Sequence, residues 1–316
     1  MRIVRAPAFW TKRGAPARLL RPFSLITGII TARRVSKPGF VPGIKVICVG
    51  NAGVGGAGKT TVVLDLLARL KGPAFALTRG YGGELAGPVL VDKRIHNATN
   101  VGDEALLLAN AAPTILARDR AAGARLALAE GAVALVMDDG LQNPSLAKTL
   151  SLLVIDGGYG FGNGLLLPAG PLREPVSAAA ARVQAAVLIG EDETGALKAL
   201  PPSLPVLRAE LVPDSAERLG RRPVIAFAGI GRPEKFFRSV LSLGAEVVAS
   251  HAFPDHHVYD AGDSARLLGE ASTRGAVLVT TEKDYVKLPA ALRAASLVVS
   301  VRLAWEDEAA LEALLQ

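Results

Sequence analysis

Eight consecutive residues, Gly53-Val-Gly-Gly-Ala-Gly-Lys-Thr60, fit the pattern G-x-x-x-x-G-K-[ST] with no position missing. Their flanks supply the order such a loop requires, because residues 45–50 read as a buried aliphatic strand and residues 61–70 as a helix. A strand that turns through glycines into a helix aims several backbone N–H groups and a helix N-terminus at one point, an arrangement suited to phosphate. Lys59 then neutralises charge on the β- and γ-phosphates, and the Thr60 hydroxyl is available to Mg²⁺. Gly53, Gly55, Gly56, Ala57, Gly58, Lys59, Thr60 and Thr61 are the expected nucleotide-binding set.

The rest of the chain alternates in the same way. Strands are expected at 74–78, 114–117, 132–137 and 151–155, with a short one at 89–91, separated by helical runs at 104–111 and 121–130. Half of the residues are hydrophobic but only 5% are aromatic, so the apolar content is aliphatic and alanine, as parallel strands covered by helices need. Prolines at 201, 202, 205, 213 and 223 mark a connecting region, beyond which strands are expected at 223–228, 246–249, 276–280 and 297–301. The predicted architecture is α/β: a P-loop doubly wound parallel sheet (41–200), a linker (201–222) and a second, smaller α/β domain (223–316). Ligands of such sheets gather at the C-terminal strand ends. The only cysteine, Cys48, lies within the strand that feeds the phosphate loop, which rules out an intramolecular disulfide and favours a reducing compartment.

The net charge of +7 is concentrated at one end. Residues 1–40 hold nine of the 36 Lys and Arg and no acid, the first acidic residue being Asp65; the remaining 27 bases face 29 acids. A nucleic-acid protein spreads its basic footprint over a folded face with stacking aromatics, so nucleic acid is not an expected partner. The same segment contains Phe9-Trp10 and an apolar run of 11 residues, 22–32, that begins at Pro22. A membrane span needs about 20 apolar residues. Basic residues interleaved with Phe, Trp, Leu and Ile instead suit an element lying in the headgroup region. A cleaved signal peptide lacks its small-residue cleavage site here, and a helix packed on the core is the remaining alternative.

Asp138-Asp139 ends an apolar strand, where a carboxylate opposite Thr60 holds Mg²⁺. Phosphoryl transfer to an alcohol also needs a proton acceptor, for which Asp103 and Glu104 are candidates; Asp103 equally suits a helix cap. Three of the four histidines, His251, His256 and His257, cluster at a spacing that matches no standard zinc pattern, so an acid, base or orienting role is expected of them. Arg79, Arg118, Arg120 and Arg173 lie at predicted strand ends, as phosphate recognition requires. The run from Ala228 to Pro233 lacks G-K-[ST] and reads as a strand-to-helix turn with Pro233 at the first helical position.

Together these residues resemble the tetraacyldisaccharide 4′-kinases of the lipid A pathway, over nearly the full length. The likeness is carried by Phe9-Trp10, Val49-Gly-Asn51, Thr78-Arg-Gly-Tyr81, Val101-Gly-Asp-Glu104, Asp138-Asp-Gly-Leu-Gln142, the run 167–174 (Leu-Pro-Ala-Gly-Pro-Leu-Arg-Glu), Gly229-Ile-Gly231, Phe253-Pro-Asp-His256 and Thr280-Thr-Glu-Lys-Asp284. The resemblance implies transfer of the γ-phosphoryl group of ATP, with Mg²⁺, to the 4′-hydroxyl of a disaccharide bearing four acyl chains and a 1-phosphate. It also implies a monotopic enzyme on the cytoplasmic face of the inner membrane, with no obligate protein partner. On this likeness Asp103 is the proton acceptor and His256, from the second domain, supports it. Lys59, Thr60, Asp138 and Asp139 serve phosphate and metal, Arg173 is the loop arginine, and Arg79, Tyr81, Glu104, Arg120, Gln142 and Asn143 contact substrate. The family usually has histidine where this chain has Asn143. The glycine-rich stretch 157–170 is expected to border the crevice and admit the acylated sugar. The rival reading, a membrane-associated NTPase switch that binds a protein partner, lacks its guanine signal, because Lys283 and Asp284 are adjacent where that motif spaces them by one. A soluble small-molecule kinase or ligase of the same fold is a second alternative.

Overall fold

The computed structural model describes residues 7–213, 219 and 222–316. Arg2 and Arg5 of the basic N-terminus and most of 214–221 in the expected linker lie outside the described residues. Two sheets organise the chain. The larger has nine strands in the order β13-β8-β7-β6-β1-β5-β2-β4-β3. They are β1 (Lys45–Gly50), β2 (Ala74–Thr78), β3 (Val89–Leu90), β4 (Thr114–Leu116), β5 (Ala134–Asp138), β6 (Leu150–Asp156), β7 (Ala185–Ile189), β8 (Val206–Pro213) and β13 (Val301–Trp305). The edge pairs β3·β4 and β13·β8 are antiparallel and every other pair is parallel.

All residues of β2, β5, β6 and β7 are buried, since helices cover both faces and leave no polar side for alternation. One face packs Val46, Cys48, Leu77 and Met137; the other packs Ile47, Val49, Val136 and Leu152 against the helix Lys59–Arg69. β1 lies between β5 and β6, so the winding reverses at β1. The phosphate loop therefore leaves the sheet at its topological switch point, where a ligand crevice opens.

The smaller sheet, in the order β10-β9-β11-β12, is wholly parallel: β9 (Pro223–Ala228), β10 (Glu246–Ala252), β11 (Val277–Thr281) and β12 (Ser296–Val299). The sequence reading needs correction at both of its ends. Part of the expected linker, 206–213, is strand β8 of the large sheet. The single strand expected at 297–301 is two strands, β12 in the small sheet and β13 beside β8 in the large one. The chain thus returns, and the helix Glu308–Leu315 buries Leu311 and Leu315 on the large sheet. Trp305 Nε1 donates to Asp65 at 3.0 Å, and the Lys45 ammonium reaches the Leu315 carbonyl. An uninterrupted aliphatic run does not reveal that its two halves pair with different partners, so this crossover was invisible to periodicity.

The apolar run 22–32 lies within a longer helix, Ala15–Val35, 21 residues with Pro22 inside it. Pro16 near its start is preset for the helical φ, and Pro22 forfeits only the bond to the Arg18 carbonyl. Small residues form its contact face: Ala17 and Ser24 are buried, Ser24 Oγ donates to the Leu166 carbonyl at 2.8 Å, and a Cβ on Gly28 would stand 3.0 Å from Leu166. The opposite side exposes Leu19 (77%), Phe23, Leu25, Ile26, Ile29 and Ile30. No helix among the described residues is long and apolar enough to cross a membrane. The glycine-rich stretch 157–170 also holds this segment: Asn163 N donates to the Trp10 carbonyl (2.7 Å), Arg13 Nε to the Asn163 carbonyl (2.9 Å) and Trp10 Nε1 to the Pro168 carbonyl (3.1 Å).

Candidate active site

The ends of the paired strands β1 and β5 open onto the crevice. After β1 the chain passes through Gly55 (φ +122°) and Gly58 (φ +83°), conformations that L side chains rarely adopt, and open space surrounds Gly55 and Gly56 where a Cβ would stand. The loop leans on the run 167–174, with Val54 N donating to the Pro171 carbonyl at 2.9 Å. Lys59 Nζ donates to Asn51 Oδ1 (3.2 Å) and stands 3.8 Å from Asp139 Oδ1. Thr60 Oγ1 donates to Asp138 Oδ2 at 3.2 Å, while Asp138 Oδ1 is buried without a hydrogen-bond partner.

The two neighbouring acids are driven apart electrostatically. Burial, then the charges of Glu104 and Asp139, push the Asp138 carboxyl up to about 7 against the pull of Lys59. Burial acts on Asp139 as well, but Lys59 and Arg173 outweigh it and hold that carboxyl below its usual range. Arg173 Nη1 donates to both Asp139 oxygens at 2.9 Å. Asp139 sits at φ +53°, which turns it from the strand direction toward Arg173. An orphaned carboxylate oxygen beside a threonine hydroxyl is a hard-oxygen donor set that fits Mg²⁺, and no group of three His, Cys, Asp or Glu among the described residues is arranged for a metal. Mg²⁺ characteristically takes one or two protein oxygens and completes its shell with phosphate and water.

Across the crevice the smaller domain contributes His256, at φ +58°, whose backbone N–H donates to the Gly229 carbonyl at 3.1 Å. Its Nδ1 lies 2.9 and 3.0 Å from the two Asp103 oxygens. Gly102 (φ +82°) caps the helix Asp103–Ala111, so Asp103 is the first helical residue and not the cap. Asp103 is only 4% exposed; it also accepts from Lys287 Nζ (3.3 Å) and from Glu104 N (2.9 Å). Burial would raise its pKa, but the hydrogen bond from His256 and the charges of Lys283, His256 and Lys287 prevail and hold it well below the carboxylate range. The histidine cluster disperses: His251 pairs with Glu270 and His257 with Asp263, each at 2.7 Å.

The expected substrate residues divide. Tyr81 is exposed with its ring 5.1 Å from that of His256, Arg79 is exposed at the end of β2, and Glu104 pairs with Lys283 at 3.2 Å. Gln142 braces the loops, donating to the Asn51 carbonyl (2.9 Å) and Glu174 (2.7 Å) and accepting from Arg173 (3.2 Å). Arg120 and Asn143 are each engaged in contacts of their own. Arg120 is 2% exposed, binds the Ala117 carbonyl and leaves Nε unpartnered; burial lowers its pKa to about 10 although Asp139 and Asp138 oppose this. Its charge therefore reaches the crevice through the two acids. Asn143 Oδ1 accepts from Ser145 N and Oγ at 2.9 and 2.8 Å, a local turn that occupies the amide oxygen.

Several contributors escaped the sequence reading. Asn51, Glu174, Lys283 and Asp284 fall within short motifs that by themselves assign them no role, and no local pattern marks Lys287. A second contact between the domains joins Asp156, at the end of β6, to Arg232 and to Lys235 (2.6 Å), and a Cβ on Gly231 would stand 3.8 Å from the backbone N of Gly56. Only a carboxylate at the end of a strand hinted at it.

A P-loop at the switch point, an acid pair beside its threonine and a carboxylate–imidazole pair across the crevice define a phosphotransferase of the P-loop class. Sequence comparison narrows this. A family model described as tetraacyldisaccharide-1-P 4′-kinase matches residues 16–316, and the chain belongs to that family. It is 55% identical to a tetraacyldisaccharide 4′-kinase of Gluconacetobacter diazotrophicus (99% of this chain, 97% of the relative) and 54% identical to one of Methylorubrum extorquens (96% of each). Its fold is similar to that of the LpxK of Aquifex aeolicus, crystallised in complex with ATP, with a TM-score of 0.77 at 27% identity over 95% of this chain and 98% of that one.

Proposed function

We propose that the chain transfers the γ-phosphoryl group of ATP to the 4′-hydroxyl of tetraacyldisaccharide 1-phosphate, a step of lipid A synthesis. The relatives' names and the ATP bound to the Aquifex enzyme support this reading, which disfavours the NTPase switch. The observation that carries it is the Asp103–His256 pair, brought from two domains to face the Lys59–Thr60–Asp138 cluster. The loop amides and Lys59 hold the β- and γ-phosphates, and Arg173, steadied by Asp139 and Gln142, borders them. Asp103 accepts the 4′-hydroxyl proton as that oxygen bonds to the γ-phosphorus, the bond to the β,γ-bridging oxygen breaks, and ADP leaves with its electrons. His256 holds the Asp103 carboxylate in line through Nδ1. Mg²⁺ would be held by Thr60 and Asp138 and, when bound, neutralises charge on the phosphates.

The exposed apolar side of the helix Ala15–Val35, with Arg18, Arg21, Arg33 and Arg34 along it, supports peripheral attachment to the cytoplasmic face of the inner membrane. There the sugar head of a lipid substrate is presented to the crevice. Incubation with γ-labelled ATP, Mg²⁺ and the lipid tests the reaction: label at the 4′ position that vanishes in Lys59→Ala is expected. Label released only as inorganic phosphate, with or without lipid, would overturn it.

A further inference from the structure

The motif Thr280-Thr-Glu-Lys-Asp284 has no part in the reaction as described, yet it stands against the proposed base. Asp284 is fully buried; its Oδ2 accepts from Gly229 N (2.9 Å) and from Thr281 Oγ1 (2.7 Å), and its Oδ1 lies 3.1 Å from Lys287 Nζ. Lys287, 5% exposed in its side chain, therefore spans two carboxylates: Asp284 of its own domain and Asp103 of the other. One turn earlier Lys283 joins Glu104 (3.2 Å) and Asp255 (3.4 Å) and lies 3.5 Å from His256 Nε2. The charged and titratable groups gathered at Asp103 are thus His256 and Asp255 from the loop after β10, Lys283, Asp284 and Lys287 from the segment after β11, Glu104 from its own helix, and Tyr81, whose ring is tilted against that of His256.

We propose that Lys287 is a positioning residue for the transfer: seated on Asp284, it holds the Asp103 carboxylate ionised and turned to His256 when the two domains meet. Gly229 makes the coupling tight. Its backbone N–H is fixed by Asp284 while its carbonyl receives His256 N, so one buried carboxylate sets both the imidazole and the ammonium that face Asp103. A lysine that only filled space would not need a fully buried acid of its own domain beneath it. The inference rests on Asp103 as proton acceptor. Burial by itself would favour the protonated acid, which is unable to take the hydroxyl proton, and a cation at 3.3 Å counters that tendency.

The test is the pH dependence of kcat at saturating ATP and lipid for the wild-type enzyme, Lys287→Met, Lys287→Arg, the double variant Lys287→Met/Asp284→Asn and Asp103→Ala. Loss of the ammonium raises the Asp103 pKa, so the acid limb of the Lys287→Met profile is expected about one pH unit or more above the wild-type limb. Lys287→Arg should return most of the shift, and the KM for ATP should not change. The double variant leaves no unpaired buried acid, so its limb must also move if the effect is more than misfolding. Limbs at the wild-type position in both Met variants, with kcat lowered equally at all pH values, would overturn the proposal. Full turnover by Asp103→Ala would overturn the base assignment on which it rests, whereas an inactive Asp103→Ala beside unshifted Met variants would sink the role of Lys287 alone.

Discussion

At the scale of single residues, the site depends on a few side chains whose surroundings set their chemistry. Asp138 and Asp139 are adjacent in sequence, yet one is buried with an orphaned oxygen and the other is clasped by Arg173. Asp139→Asn should therefore release Arg173 as well as remove a charge, and its effect should not add to that of Arg173→Ala in a double-mutant cycle of kcat/KM. General-base catalysis contributes roughly 10²- to 10⁴-fold, so Asp103→Ala is expected to lower kcat within that range with nucleotide affinity retained. The pair acts as a unit: adding His256→Ala to Asp103→Ala should cost little more, because the imidazole's partner is already gone. Lys59→Ala removes the cation from the phosphates and is expected to lower kcat by at least about 10²-fold, measured by transfer of γ-label.

At the scale of elements, the helix Ala15–Val35 shows how small and large residues divide the labour. Ala17, Ser24 and Gly28 let it lie close to the loop around Leu166, and that seating leaves its leucines, isoleucines and phenylalanine outward. The double substitution Leu25→Glu/Ile29→Glu touches none of the contact residues. It is expected to weaken binding to anionic vesicles in a flotation assay severalfold or more, while kcat on detergent-dispersed lipid stays near wild type. Equal flotation of variant and parent would sink the attachment reading. Gly28→Leu, in contrast, would force Leu166 to move and should loosen the helix itself.

At the scale of the whole molecule, the return of the chain ties the last strand and helix to the first domain. Arg69 joins Asp65 (2.8 Å) to Glu312 (3.1 Å), and Leu311 is fully buried on the large sheet. Leu311→Ala should cost about 2–5 kcal/mol of stability by urea denaturation, the range for a leucine lost from a packed core. The smaller sheet is thus inserted between β8 and β13, and its domain meets the large one, among other contacts, where Asp103 faces His256 and Lys287 and where Asp156 faces Arg232 and Lys235. Burial pulls the Lys235 pKa down to about 8. Asp156→Asn is expected to remove the second of these ties without touching the base, raising the KM for ATP more than it lowers kcat at saturation. The reverse pattern would mean that Asp156 does not act through closure.

The phosphate loop, the parallel sheet, the strand-end positions of Asp138 and Asp139 and the helix-start position of Asp103 were legible in the sequence, because those features follow from local rules: glycines that admit positive φ, aliphatic runs of strand length and helix starts after turn residues. The sequence also carried the family likeness, which rests on the same short motifs. Packing alone settled that 301–305 joins the large sheet, that Pro22 lies within a longer helix, that Arg120 is buried while the Asn143 amide oxygen is taken up by Ser145, and that Lys287 reaches Asp103 across 184 positions. Each of these depends on which surfaces meet after the chain has folded. Periodicity encodes only that a surface is apolar or charged, so the identity of its partner is settled by packing.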